Sequence, residues 1–131
     1  MSNIIKRYKY GGKQRLKSVR TIDKLFKEGR SIQQFPLRFV WLPIASEQKL
    51  QVGVAASKRF FAKAVDRNTI KRHLREAWRL QKNIIEEKLD MKTTSVAAMI
   101  VFTGKELGDV ALVPLAMQKI ISKFSQEIEK P

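Results

Sequence analysis

The chain reads as one α/β domain of two layers, a sheet with helices packed on it. Three patterns lead there. Pro36–Leu42 and Leu50–Ala56 alternate between two chemistries at the strand period. Ser95–Thr103 is an almost unbroken apolar run of strand length, as expected of a central strand covered on both faces. Around these lie longer stretches with apolar residues at helical spacing. A length of 131 residues suits a single domain able to build its own core.

Residues 1–14 carry few apolar side chains and include Gly11-Gly12, so they read as a flexible basic arm ahead of a domain spanning 15–131. Tyr8 and Tyr10 in that arm suit either stacking on bases or packing on the domain. A short helix follows over 18–28. Ser18 is its candidate N-cap, Ile22, Leu25 and Phe26 form its apolar stripe, and Gly29 suits the position after its end. In the first strand Leu37, Phe39 and Trp41 share one face and Arg38 points to the other, with Pro43 expected to end it. Ser46–Lys49 is polar enough for a hairpin turn. Leu50, Val52, Val54 and Ala56 then mark the second strand. A basic segment over 57–65 leads into a long helix expected from about Arg67 to Leu89, with Asp66 as candidate N-cap. Gly104 breaks the third strand. Pro114 suits a first helical turn, and Met117, Ile120, Ile121, Phe124 and Ile128 mark a C-terminal helix.

The net charge is +15, from 27 Lys and Arg against 12 Asp and Glu. Residues 1–30 contribute +8 and residues 57–82 contribute +7, which is the entire excess. A surface charged for solubility mixes its signs; concentration in two segments is the footprint of a polyanion-binding protein. The long helix carries the pattern further. Wound at about 100° per residue, Arg67, Asn68, Lys71, Arg72, Arg75, Arg79 and Lys82 fall within an arc of roughly 140°. Ile70, Leu74, Ala77 and Ile84 cluster on the other side, with Trp78 near the border. Like charges four residues apart repel, and a phosphate backbone would neutralise them with release of counterions. Arginine outnumbers lysine on this face, which favours nucleic acid over a membrane surface.

Several chemistries are excluded. With no cysteine there is no disulfide, thiol nucleophile or iron–sulfur site, and one histidine, His73, cannot make a multi-histidine metal centre. His73 reads as a helix-surface residue. No Gly-rich phosphate loop is present. The acids lie mostly in the neutral segments, and adjacent Glu86 and Glu87 point to different sides of a helix. No stretch is apolar enough to span a bilayer, and the basic N-terminus lacks the apolar core of a signal peptide. A cytoplasmic protein without catalytic residues of its own is expected.

The segment Ser57-Lys-Arg-Phe-Phe-Ala-Lys-Ala-Val-Asp-Arg-Asn-Thr-Ile-Lys-Arg-His-Leu-Arg-Glu-Ala-Trp-Arg79 resembles the signature of the protein subunit of bacterial ribonuclease P. That signature runs Ser-Lys-(Lys/Arg), a short insert, Ala-Val-x-Arg-Asn, then Ile-Lys-Arg-x-x-Arg-Glu-Ala-aromatic-Arg. Arg15-Leu-Lys17 and Gly29-Arg30-Ser31 are similar to the family's N-terminal pattern, and the resemblance covers about residues 13–127. It departs at two places. Thr69 stands where the family usually has Arg, and Ile22 where the first cleft position is usually aromatic.

The resemblance implies the order α-β-β-β-α-β-α, with a further strand near Arg30–Gln34, a left-handed strand–helix–strand crossover, and likeness to domain 2 of ribosomal protein S5. General topology would favour the opposite hand. It also implies a ribonucleoprotein whose catalytic RNA removes the 5′ leader from precursor tRNA and uses Mg²⁺, the protein itself holding no cofactor. No membrane or protein partner is expected. Lys58, Arg59, Lys63, Arg67, Asn68, Lys71, Arg72, Arg75, Arg79 and Lys82 would then face RNA. Arg15, Lys17, Ile22, Phe26, Phe39 and Val40 would belong to a cleft for the leader, although Phe26 also suits the core. Two other readings compete: a structural RNA-binding protein of ribosomal type without a processing role, and an autonomous metal nuclease, which would need several converging carboxylates.

Overall fold

The computed structural model describes residues 19–45, 49–92 and 94–129. The basic arm, Arg15, Lys17, the Ser18 cap and most of the 46–49 turn lie outside the described residues. Helix α1 spans Val19–Glu28. Strands β1 (Arg30–Gln34), β2 (Leu37–Ile44) and β3 (Leu50–Ala56) follow, then helices α2 (Ala64–Gln81) and α3 (Asn83–Lys92), strand β4 (Ser95–Phe102), a 3₁₀ segment (Leu107–Leu112) and helix α4 (Val113–Glu129). The sheet runs β1-β2-β4-β3. β2 is antiparallel to both β1 and β4, whereas β3 and β4 are parallel and joined through α2 and α3.

Alternation along the strands separates two cores. Leu37, Phe39 and Trp41 of β2, Leu50 and Val52 of β3, and Val96, Ala98, Ile100 and Phe102 of β4 face α2, α3 and α4. Phe39 is fully buried there, 5.9 Å from Trp78 and 4.8 Å from Phe124 between ring centroids. On the other face Val40, Ala97 and Met99 pack under Leu25 of α1, with Ile22 and Val101 half-buried at the margin. β4 is covered on both sides, which is why its sequence is continuously apolar. The five C-terminal apolar positions from Met117 to Ile128 are all buried along α4.

One local expectation holds and three change. The strand implied near Arg30–Gln34 is present as β1, an edge strand whose single apolar residue is Ile32. β2 continues through Pro43 to Ile44. Its β1 partner stops opposite Trp41, so that side of β2 is open beyond Trp41 and tolerates a residue without an N–H. Helix α2 begins at Ala64, with Lys63 rather than Asp66 in the N-cap position. Asp66 lies in the first turn, where its charge still complements the helix end. The single helix expected over 67–89 is two helices turning at Lys82, and α3 reaches Lys92.

Candidate nucleic-acid interface

Helix α2 is held to the sheet by Ile70, Leu74, Ala77 and Trp78, all buried. That leaves Asn68 and Arg72 exposed on its outer surface and Lys71 and Arg75 half-exposed beside them. The loop before α2 is fixed at three points. The Ser57 hydroxyl accepts the Arg59 backbone N–H at 3.0 Å. Phe61 is buried, with its ring 5.8 Å from that of Phe102. The Arg67 Nη1 donates to the carbonyls of Phe61 and Ala62 at 2.8 and 2.9 Å. These contacts hold Lys58, Arg59 and Lys63 exposed at the start of the helix. Arg67 thus shapes the loop as well as adding charge.

The far end of the stripe differs. Arg79 donates from Nε and Nη2 to both carboxylate oxygens of Glu76, at 2.9 and 2.5 Å. That hydrogen bonding holds the Glu76 carboxyl below the usual carboxylate range. Lys82 was expected on the cationic face, but the turn between α2 and α3 tucks it in, leaving it 7 % exposed. Its ammonium lies 3.9 Å from a Glu86 carboxylate oxygen. Burial lowers the Lys82 pKa, and Glu86 opposes that shift.

The second predicted cluster is divided. Ile22 and Val40 meet on the α1 face of the sheet, and Phe26 stands 42 % exposed on the same helix, outside the core. Phe39 does not join them. As the neighbour of Val40 in a strand it points to the opposite face, into the aromatic cluster under α2 and α4. Arg15 and Lys17 lie outside the described residues. His73 is exposed on α2.

Sequence reasoning missed one feature. Phe60, read as part of a basic segment, is 44 % exposed. The Arg59 Cζ lies 5.7 Å and the Lys105 Nζ 5.4 Å from its ring centroid. Only the fold brings Lys105 there, so spacing carried no signal for it. Among the described residues no group of three or more His, Asp or Glu is placed to hold a metal ion, and no helix is long and apolar enough to cross a membrane.

A basic α/β domain with a cation-bearing helix face is the kind of scaffold that engages nucleic acid. A family profile described as Ribonuclease P matches residues 11–107. The chain is 31 % identical over 110 residues to a ribonuclease P protein component of Porphyromonas gingivalis, covering 82 % of this chain and 80 % of that one. It belongs to the family of ribonuclease P protein components, the protein part of a tRNA-processing endoribonuclease ribonucleoprotein. The fold agrees. A ribonuclease P protein structure from Staphylococcus aureus superposes with a TM-score of 0.67 at 18 % identity, covering 85 % of this chain and 94 % of the other. One from Thermotoga maritima gives 0.63 at 21 % identity, with 86 % and 96 % coverage.

Proposed function

We propose that the outer face of α2 and the loop over 57–63 seat this protein on the folded catalytic RNA, and that the α1 face of the sheet guides the 5′ leader of precursor tRNA. Phosphodiester hydrolysis then belongs to the RNA, as does the Mg²⁺ it uses. No protein side chain attacks the phosphate. The scattered acids of the described chain do not fit a protein-held metal, and no step is routed through one.

The observation that carries this reading is the one-sidedness of the surface. Lys58, Arg59, Lys63, Lys71 and Arg72 emerge from one loop and one helix; of the two acids in α2, Asp66 sits in the first turn, where it complements the helix end, and Glu76 is taken up by Arg79. Cations so arranged repel one another until phosphates neutralise them, and counterion release then adds to affinity. The α1 face supplies apolar contacts of a different kind. With Ile22 in place of an aromatic, Phe26 is the ring that α1 offers to stack on a leader base.

Reconstitution tests the reading. Adding the protein to bacterial ribonuclease P RNA at low Mg²⁺ should accelerate 5′ cleavage of precursor tRNA, and the protein alone should cleave nothing. Unchanged cleavage by the RNA would overturn the proposal. Cleavage by rigorously RNA-free protein would point instead to an autonomous nuclease.

A further inference from the structure

We propose that Phe60, with Arg59 and Lys105, forms a binding site for one unpaired nucleotide of the partner RNA; the inference rests on the reading above. Two neighbouring phenylalanines in one loop have opposite fates. Phe61 enters the core against Phe102, whereas Phe60 remains 44 % exposed. The loop that presents it is not slack, because the Ser57 turn and the Arg67 bonds to the Phe61 and Ala62 carbonyls fix both of its ends. Arg59, its neighbour in sequence, and Lys105, from the segment after β4, lie over this ring at 5.7 and 5.4 Å, within cation–π range. The acids beside Lys105 are occupied. Glu106 and Asp109 hydrogen-bond reciprocally to each other's backbone N–H at the start of the 3₁₀ segment.

An exposed aromatic ring flanked by cations matches what a nucleotide offers. Its base presents an apolar π-face and its phosphate a negative charge. Base pairs inside a helix keep their faces stacked, so the occupant is an unpaired nucleotide from a loop, bulge or single strand. Its base would stack on Phe60, while Arg59 and Lys105 take the flanking phosphates. Lys105 lies beyond β4, so the contact surface would extend from the α2 loop to the segment after the sheet.

The test compares Phe60→Ala, Phe60→Leu and Phe60→Trp. The side chain is exposed, and equal melting temperatures will show that the fold is kept. Phe60→Ala and Phe60→Leu should weaken RNA binding by about 5- to 140-fold, the range spanned by one stacked base. Phe60→Trp should bind like the native protein. The salt dependence of binding should be unchanged in all three, since the ring carries no charge. Lys105→Ala should lower the slope by about one.

Two arms locate the nucleotide. Loss of affinity for isolated ribonuclease P RNA places it in the catalytic RNA. Loss confined to precursor tRNA binding by the assembled holoenzyme places it in the substrate. Native binding in both arms, by Phe60→Leu or by Phe60→Ala, overturns the inference alone. Failure of the native protein to bind either RNA overturns the reading it rests on as well.

Discussion

Gly29 closes α1 with no room for a methyl group. Its N–H donates to the Leu25 carbonyl at 2.8 Å. A Cβ there would meet the Leu25 oxygen at 2.4 Å and the Trp41 oxygen at 2.9 Å, both backbone atoms that cannot swing aside. The residue is therefore set by close approach of α1 to β2, and the chain keeps an ordinary negative-side backbone conformation at this point. Gly29→Ala should destabilise the protein by ~1–3 kcal/mol, as overpacking does, and lower the midpoint of thermal unfolding by several degrees. A variant that melts with the native protein would show that α1 shifts without cost. Phe26, three residues earlier, is predicted to act through binding. The residue is 42 % exposed, so Phe26→Ala should leave the melting temperature nearly unchanged while weakening holoenzyme affinity for leader-bearing tRNA more than for mature tRNA. Equal losses for the two would remove Phe26 from the leader path.

At the scale of elements, the junction between α2 and α3 carries a testable electrostatic cost. Lys82 is buried at the turn, which lowers its pKa because the charged form is poorly solvated there, with Glu86 only partly compensating. Between that lowered value and the ordinary lysine range, the unfolded chain binds more protons than the folded one, so stability should rise with pH in this alkaline window. Lys82→Met should flatten the rise and leave stability at neutral pH equal or higher, since Glu86 retains access to water. Chemical denaturation at a series of alkaline pH values checks this, and an unaltered slope would count against it. The same junction shows what sequence patterning conveys. Ile85 and Leu89 are buried at spacings that continue the α2 stripe, so periodicity runs through a turn that only tertiary packing makes. β4 was legible because burial on both faces leaves a continuous apolar imprint. β1 left almost none, having one apolar residue and an edge position, and was supplied by family resemblance. In β2 the alternation separated Phe39 from Val40, but it could not say which face looks toward α1; that depends on where the helices pack.

For the whole molecule, the decisive quantity is how many cations reach the RNA. The helical wheel counts every basic residue on the stripe equally, yet the folded protein does not. Arg67 already donates to two loop carbonyls, Arg79 is paired with Glu76, and Lys82 is tucked into the turn. Arg72 is exposed on the same face, so Arg72→Ala should weaken binding to ribonuclease P RNA evenly across sequences. It should also reduce the slope of log affinity against log salt by about one. Lys82→Met should leave that slope as it is, because a buried ammonium releases no counterion. Glu76→Gln should act in the opposite sense to Arg72→Ala. Losing the carboxylate removes a negative charge from this face and loosens the hold on the Arg79 guanidinium, which should tighten binding at low salt and steepen the slope. Titrations of the three variants from low to moderate salt distinguish a surface built from particular cations from one governed by net charge alone. If net charge governs, Lys82→Met and Arg72→Ala, each removing one positive charge, would behave identically.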